Sequence, residues 1–314
     1  LLDYDLDTDG QQVKAHMLGA SVTARHRERY GCTLNQTDHA PLFPFAASAD
    51  GFSGHPHDTD VTPASNANHA PAQHAETKPA LQAALNTAFA EPPEGGRNTL
   101  AVIVMHRGEV VAEQYGAPVT ATTPMQGWSM NKSLMATFIG RQVDQGNLDL
   151  DGPVVSALQA AGAGSRTLGK VDPRLTLRHL LSMTTGFDFS ERYFPGDDVT
   201  DMLYRQPGMW LSAPDTGHAQ PVGKQWAYSS GDINTASLVW QQSLLGESYL
   251  HWIQREFIEP LTLQEIVLEP DASGVQVGSS YAYLTARDWA RMGQLWLDAW
   301  HGRSNVISEQ WLRL

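Results

Sequence analysis

The stretch QGWSMNKSLMATFIGRQVDQGNLDLDGPV, Gln126 to Val154, decides how the rest of the chain is read. It has the spacing of a core helix, yet a serine opens it and a lysine follows one turn later. Successive helical residues turn by about 100°, so Ser129 and Lys132 occupy neighbouring positions and their side chains can meet. On the same wheel Lys132 falls between Ile139 and Val143, beside Met135 and Ala136, inside an apolar stripe. Met130, Leu134 and Phe138 form a second apolar face. Two such faces predict a helix sandwiched in the core, not one lying on the surface.

A lysine among apolar side chains loses hydration, which disfavours its charged form. The positive end of the helix pushes the same way and favours an alkoxide at the serine. Together these effects turn lysine into a general base and serine into a nucleophile. With 5 lysines and 21 serines in 314 residues, chance gives about 0.3 Ser-x-x-Lys pairs, so the bare spacing is weak evidence. It leaves open an N-cap serine followed by a lysine that snorkels to solvent.

The rest of the composition narrows the class. An apolar fraction of 41% in 314 residues supports a sizeable core. No run approaches the roughly 18 apolar residues of a membrane helix, so no membrane insertion is expected. The net charge of -13, with 34 acidic against 21 basic residues and no basic cluster, argues against nucleic acid as a partner. A single cysteine, Cys32, excludes an intrachain disulfide and a multi-cysteine metal site, and it reads as a buried small apolar residue. The count leaves the compartment open; a periplasmic or secreted location is expected over a cytoplasmic one.

Three segments are expected. Residues 1–43 form an N-terminal extension, where LDYDLD and QQVKAHMLGASVTAR around DTDG suggest a β-hairpin. Residues 44–79 form a polar loop or linker rich in His, Pro and Ala. His55, His57, His69 and His74 fall there; their irregular spacing reads as solvated loop histidines, with no metal and no cofactor expected. Residues 80–314 form the main domain. It opens on a helical pattern from Lys78 to Phe89 and a hairpin, NTLAVIVMHRGEVVAEQYG, hinged at Arg107 and Gly108. A short helix in LTLRHLLSMTTGFDF ends at Gly186, and an acidic, aromatic loop runs from Asp188 to Asp201. A further helix begins near Asp232, and a last one, capped by Thr285, presents Trp289, Met292, Leu295, Trp296 and Ala299 on one face. This order fits a helix-rich α+β domain with an antiparallel sheet. The chain starts at Leu1 without a signal-like segment, so a start after processing or partway into a longer polypeptide is expected, and WLRL stops within a helix, so the C-terminal end is expected to be incomplete.

Four segments come in a telling order: WSMNKSLMATFIGRQVDQGNLDLDGPV, LTLRHLLSMTTGFDF, GKQWAYSSGDINTASLVWQ and EPDASGVQVGSSYAYLTARDWARMGQLWLD. Over roughly Leu81 to Leu314 the chain resembles β-lactamase-related serine hydrolases, in the branch of class C β-lactamases, β-lactamase-fold esterases, D-aminopeptidases and 6-aminohexanoate-dimer hydrolases. The resemblance implies the β-lactamase/penicillin-binding-protein-like fold, an antiparallel sheet flanked by helices plus an all-helical region. It implies Ser129 as the acylated nucleophile, Lys132 as its partner and Tyr228 as the residue that exchanges protons with nucleophile and leaving group. The Ser129 N–H would supply half of an oxyanion hole. Ser230, Ser279 and Tyr281 are implied as pocket-lining, substrate-binding positions. Ser230 stands where class C enzymes have asparagine, which leans the reading toward an esterase or amidase and away from a true β-lactamase.

The family's third element, a Lys-Thr-Gly or His-x-Gly strand, has no match after Asp298. A missing C-terminal segment or a second chain is therefore expected to complete the sheet. The expected function is an acyl-enzyme serine hydrolase acting on a small ester or amide; a catalytically impaired binding or sensor protein of the same fold is the alternative. Asp188, Asp197 and Asp198 could border the pocket, although a solvated acidic loop is the plainer reading. Trp210, Trp226 and Trp289 read as core residues.

Overall fold

A computed structural model describes residues 3–17, 20–34, 41–43 and 78–314. The loop expected over 44–79, with its four histidines, lies outside the described residues apart from Lys78 and Pro79.

The expected N-terminal hairpin is present but is half of a larger unit. Strands β1 (Asp3–Asp7), β2 (Gln12–Met17), β3 (Ala20–Arg27) and β4 (Gly31–Leu34) form an antiparallel meander in sequential order. The chain reverses again after β3 because Arg29 and Gly31 both take positive φ, at 64° and 65°. The meander is fastened to the main domain, not trailing from it. Tyr30 is buried with its ring edge-on to Tyr249 at 5.7 Å, and the Cys32 N–H donates to Glu269 Oε1 at 2.6 Å. Cys32 is exposed, contrary to expectation, because side chains alternate along β4 and the inward place falls to its neighbour Thr33.

After α1 (Pro79–Phe89), β5 (Ala101–His106) and β6 (Glu109–Tyr115) form the expected hairpin. Its two-residue turn has φ of 55° at Arg107 and 84° at Gly108, the geometry that matches strand twist. Among the described residues these two strands pair only with each other. A second small sheet holds β7 (Met125–Gln126), β8 (Val267–Leu268) and β9 (Ala282–Leu284) in the order β7-β9-β8.

The remainder is helical: α2 (Met130–Asp144), α3 (Val154–Ala160), α4 (Ser165–Leu168), α5 (Leu177–Leu181), α6 (Asp198–Arg205), α7 (Ser212–Thr216), α8 (Ser230–Gln242), α9 (Tyr249–Ile253), α10 (Glu259–Leu261), α11 (Ala286–Trp300) and α12 (Glu309–Leu312). Helix α5 stops well before Gly186, since Met183 adopts φ 53° and cannot continue a right-handed helix. No described helix is long and apolar enough to cross a membrane.

Helices α2 and α8 run through the core. Leu134, Met135, Phe138 and Ile139 of α2 are fully buried. Phe138 stacks on Trp240 of α8 at 5.4 Å and meets Phe257 edge-on at 4.8 Å. Burying each such side chain contributes roughly 1.5–3 kcal/mol, which is why a helix apolar on two faces settles here. Met130 departs from the expected second face: it is half exposed at the helix start, where the chain emerges from the core. Helix α11 starts as expected, with Thr285 Oγ1 accepting from the Asp288 N–H at 3.2 Å, and it packs on β5. Arg287 of α11 donates to Glu113 of β6 at 2.7 Å. The fold is α+β, as expected.

Candidate active site

The site begins where β7 becomes α2. Pairing of Met125 with Leu284 and Gln126 with Tyr283 brings the chain in along β9. The Gly127 N–H donates to the Ala282 carbonyl at 2.8 Å, and a Cβ at Gly127 would lie 2.1 Å from the Trp289 indole, so only glycine fits. Trp128 then takes φ 46°, a costly conformation for a bulky residue and one often found beside functional groups. Its indole is exposed, with an edge contact to Tyr281 at 6.5 Å. This turn lifts Ser129 onto the surface at the head of α2. Ser129 caps no helical N–H with its side chain, so its Oγ is free for other partners. Among the described residues no acceptor takes the Ser129 N–H, which leaves it available to a developing oxyanion.

Lys132 is buried at 9% exposure and points back along the helix. Its Nζ donates to Ser129 Oγ at 3.1 Å, Ser230 Oγ at 3.0 Å and the Ser279 carbonyl at 3.0 Å. The snorkelling alternative is thereby removed. Tyr228 arrives on an extended segment pinned by the Ala227 N–H to the Met183 carbonyl. Its phenol donates to Ser129 Oγ at 2.8 Å, and its ring faces Lys132 Nζ at 4.9 Å. Ser129, Lys132 and Tyr228, separated by up to 99 residues, therefore meet at one oxygen.

The three pocket-lining candidates sit behind this trio. Ser230 and Ser279 have no exposed surface, and Tyr281 is buried. Ser230 Oγ faces Lys132; the Ser279 hydroxyl bonds Ser280 at 2.9 Å while its carbonyl serves Lys132. The Tyr281 phenol donates to the Leu203 carbonyl at 3.2 Å, and its ring supports Trp128. These residues shape the site from below and present no polar atom to a ligand above Ser129.

The loop between Asp188 and Asp198 supplies a residue that sequence reasoning missed. Glu191 accepts from the Ser230 N–H, from Ser230 Oγ at 2.7 Å and from the Tyr193 phenol at 2.9 Å. Burial first, and then the Glu191 contact, push the Tyr193 phenol up to about 12. Asp197 and Asp198 do not border the site; they fold the loop. Asp197 accepts from the N–H groups of Arg192 at 2.6 Å and Tyr193 at 3.1 Å, and Asp198 accepts from the Ser190 N–H at 2.8 Å. Hydrogen bonding from Ser190, followed by those backbone donors, holds the Asp197 carboxyl below the usual range. The acidic character of the loop was legible; which acid turned inward was not.

Beside Ser129 stand the exposed aromatic groups of Trp128, its chain neighbour, and Tyr228; Tyr193 of the loop is exposed too, as is Trp226, at 64%. Trp226 is thus no core residue, whereas Trp210 is buried and Trp289 is partly so. Beneath the site Asp232 of α8 is buried, and desolvation pushes its carboxyl up to about 7. Its Oδ2 accepts from Thr185 Oγ1 at 2.9 Å. Among the described residues no group of His, Cys, Asp or Glu could hold a metal ion.

An exposed serine at a helix start, held against a buried lysine and a tyrosine phenol, forms the candidate site on this α+β fold. The chain belongs to the beta-lactamase family, whose model matches residues 74–309. It is 25% identical over 228 residues to 6-aminohexanoate-dimer hydrolase of Paenarthrobacter ureafaciens, covering 68% of this chain and 56% of the relative. A proposed 6-aminohexanoate-dimer hydrolase of Bacillus anthracis superposes with TM-score 0.58 at 16% identity, over 74% of this chain and 61% of that one. A penicillin-binding protein of Bacillus halodurans gives TM-score 0.51 at 18% identity, over 68% and 73%. The chain thus spans little more than half the length of the curated relative it matches.

Proposed function

We propose that this protein is a metal-independent serine hydrolase that cleaves small esters or amides through an acyl-enzyme on Ser129. The observation that carries the reading is the meeting of Lys132 Nζ and the Tyr228 phenol at Ser129 Oγ, at 3.1 Å and 2.8 Å. A nucleophile needs a partner within about 2.6–3.2 Å that can take its proton, and another to return one to the leaving group. Ser129 Oγ attacks the carbonyl carbon and loses its proton to this pair; the carbonyl π electrons move onto oxygen, beside the Ser129 N–H. Collapse of that intermediate expels the alcohol or amine, which takes a proton from the same pair. Water repeats the sequence on the acyl-enzyme and releases the acid with Ser129 restored.

Ser230 at the third place of the tyrosine motif favours an esterase or amidase over a β-lactamase. An asparagine there would offer a donor toward a substrate carbonyl, whereas Ser230 is turned inward. We keep a periplasmic or secreted location within the proposal, testable by fractionating cells that make the full-length protein.

A fluorophosphonate probe is expected to add one adduct mass at Ser129, and Ser129→Ala to abolish it. Multiple-turnover release of p-nitrophenol from short-chain esters, faster than opening of a chromogenic cephalosporin, would complete the case. No labelling of the folded protein would remove it, and one slow acylation without turnover would instead favour a sensor.

A further inference from the structure

Glu191 makes no hydrogen bond to Ser129 or Tyr228, yet it ends a hydrogen-bond chain that starts at Ser129. The chain runs from Ser129 Oγ to Lys132 Nζ at 3.1 Å, to Ser230 Oγ at 3.0 Å, to Glu191 Oε1 at 2.7 Å. Resting on the acyl-enzyme reading, we propose that Glu191 is a positioning residue that, through Ser230, makes Lys132 the acceptor of the Ser129 proton.

The reason lies in counting donors. A hydroxyl has a single proton to give. Ser230 gives its proton to the Glu191 carboxylate, which can only accept, so Ser230 turns a lone pair toward Lys132. The Ser279 carbonyl, at 3.0 Å from Nζ, can likewise only accept. As an ammonium, Lys132 satisfies all three neighbours with three N–H donors. As a neutral amine it keeps two N–H groups and one lone pair, and Ser230 and Ser279 claim the two N–H groups. The lone pair is then left facing Ser129, the one neighbour with a proton to offer. The Ser129 O–H bond breaks, its proton forms an N–H bond on Lys132, and the freed electron pair forms the bond to the carbonyl carbon. Tyr228, already donating to Ser129 Oγ at 2.8 Å, keeps its phenolic proton for the leaving group.

Without Glu191 this direction is lost. Ser230 could then donate to the amine lone pair and hold it away from Ser129. The loop is built to keep the carboxylate in place: Asp197 and Asp198 clamp the backbone on both sides, and Tyr193 donates to the same oxygen as Ser230.

The test measures the rate of fluorophosphonate labelling of Ser129 from about pH 5 to pH 9 in the full chain. Glu191→Gln and Ser230→Ala are each expected to label about 10- to 100-fold more slowly at the plateau. The double variant is expected to be no slower than the slower single one, because both break the same chain. Glu191→Asp, which keeps the carboxylate, is expected to recover part of the rate. In Glu191→Gln the rising limb of the profile should also move to lower pH, since a negative charge favouring the protonated amine has gone. A merely loosened loop would lower the plateau without moving that limb. The charged and titratable groups around Glu191 are Lys132 of α2, reached through Ser230, Asp232 of α8, and Tyr193 of its own loop, with Tyr228 next to Tyr193 and Arg192 turned to Asp197. Repeating the profile in an Asp232→Asn background separates the contribution of Asp232. Wild-type rates in Glu191→Gln, or losses that multiply in the double variant, would overturn the proposal while leaving the hydrolase reading intact. A folded wild-type protein that never labels would instead remove that reading and this proposal with it.

Discussion

Two helices begin with serine at this site, and only one of those serines caps its own helix. At the head of α2, Ser129 is exposed, has helical φ and ψ of -64° and -10°, and makes no capping bond. At the head of α8, Ser229 is buried and extended, and its hydroxyl accepts from the Asp232 N–H at 3.0 Å. The N-cap role that would explain any serine before a helix is filled in α8 and left unfilled in α2. The turn at Trp128 rotates Ser129 into the helix proper, so its lone pairs face Lys132 and Tyr228 and not its own backbone. Ser129 is thereby denied the ordinary partner of a serine that precedes a helix.

The largest effect that separates the two starts is on turnover. Ser129→Ala should lower ester hydrolysis about a thousandfold or more, whereas Ser229→Ala should still accept the acyl probe. If both variants lost labelling equally, the contrast would fail. Next, Tyr228→Phe keeps the ring over Lys132 but removes the proton carrier, and kcat should fall about a hundredfold or more with little change in KM. Trp226→Ala offers a sharper split on the substrate side: losing this exposed indole, two residues before Tyr228 along the chain, should raise KM severalfold and leave kcat nearly unchanged, read from initial rates with p-nitrophenyl esters of increasing acyl size.

Smaller effects belong to the α8 start. Asp232 has its carboxyl raised to about 7 from 3.8 by burial. The folded state therefore binds more protons than the unfolded chain between those values, and this group's contribution to stability falls as pH rises from about 4 to about 7. Asp232→Asn removes that loss. Its stability relative to wild type should climb over the same window, by at most about 4 kcal/mol, as measured by urea melts at several pH values. A flat difference would mean that Asp232 carries its charge in the folded protein without penalty. Smallest is the capping loss: Ser229→Ala should cost about 1 kcal/mol and lower the melting temperature by about 2–4 °C.

Much of this was readable in residues close along the chain. Ser129 and Lys132 lie within one turn, Thr285 caps its own helix, and Arg107-Gly108 closes its own hairpin, so local geometry constrained each of them. The N-terminal meander was half legible because its second reversal depends on a positive φ at Arg29, which composition does not announce. Trp226 was misplaced because an aromatic residue in an extended run carries no sign of which face meets solvent. Glu191 had no signal at all. It stands among Asp188, Asp197 and Asp198, and what distinguishes it is contact with Ser230, 39 residues away.

The sequence by itself determined the candidate helix α2, its Ser-x-x-Lys spacing and, by resemblance, the tyrosine to look for. Those features depend on the pitch of one helix and on the identity of residues that any reader can see. Only the tertiary structure decided that Ser129 is uncapped while Ser229 is capped, that Ser230 turns inward, and that Glu191 is the acid behind it. A hydroxyl or carboxylate has no intrinsic direction; packing of distant segments sets which donor it faces, and at this site that direction tells the uncapped serine from the capped one.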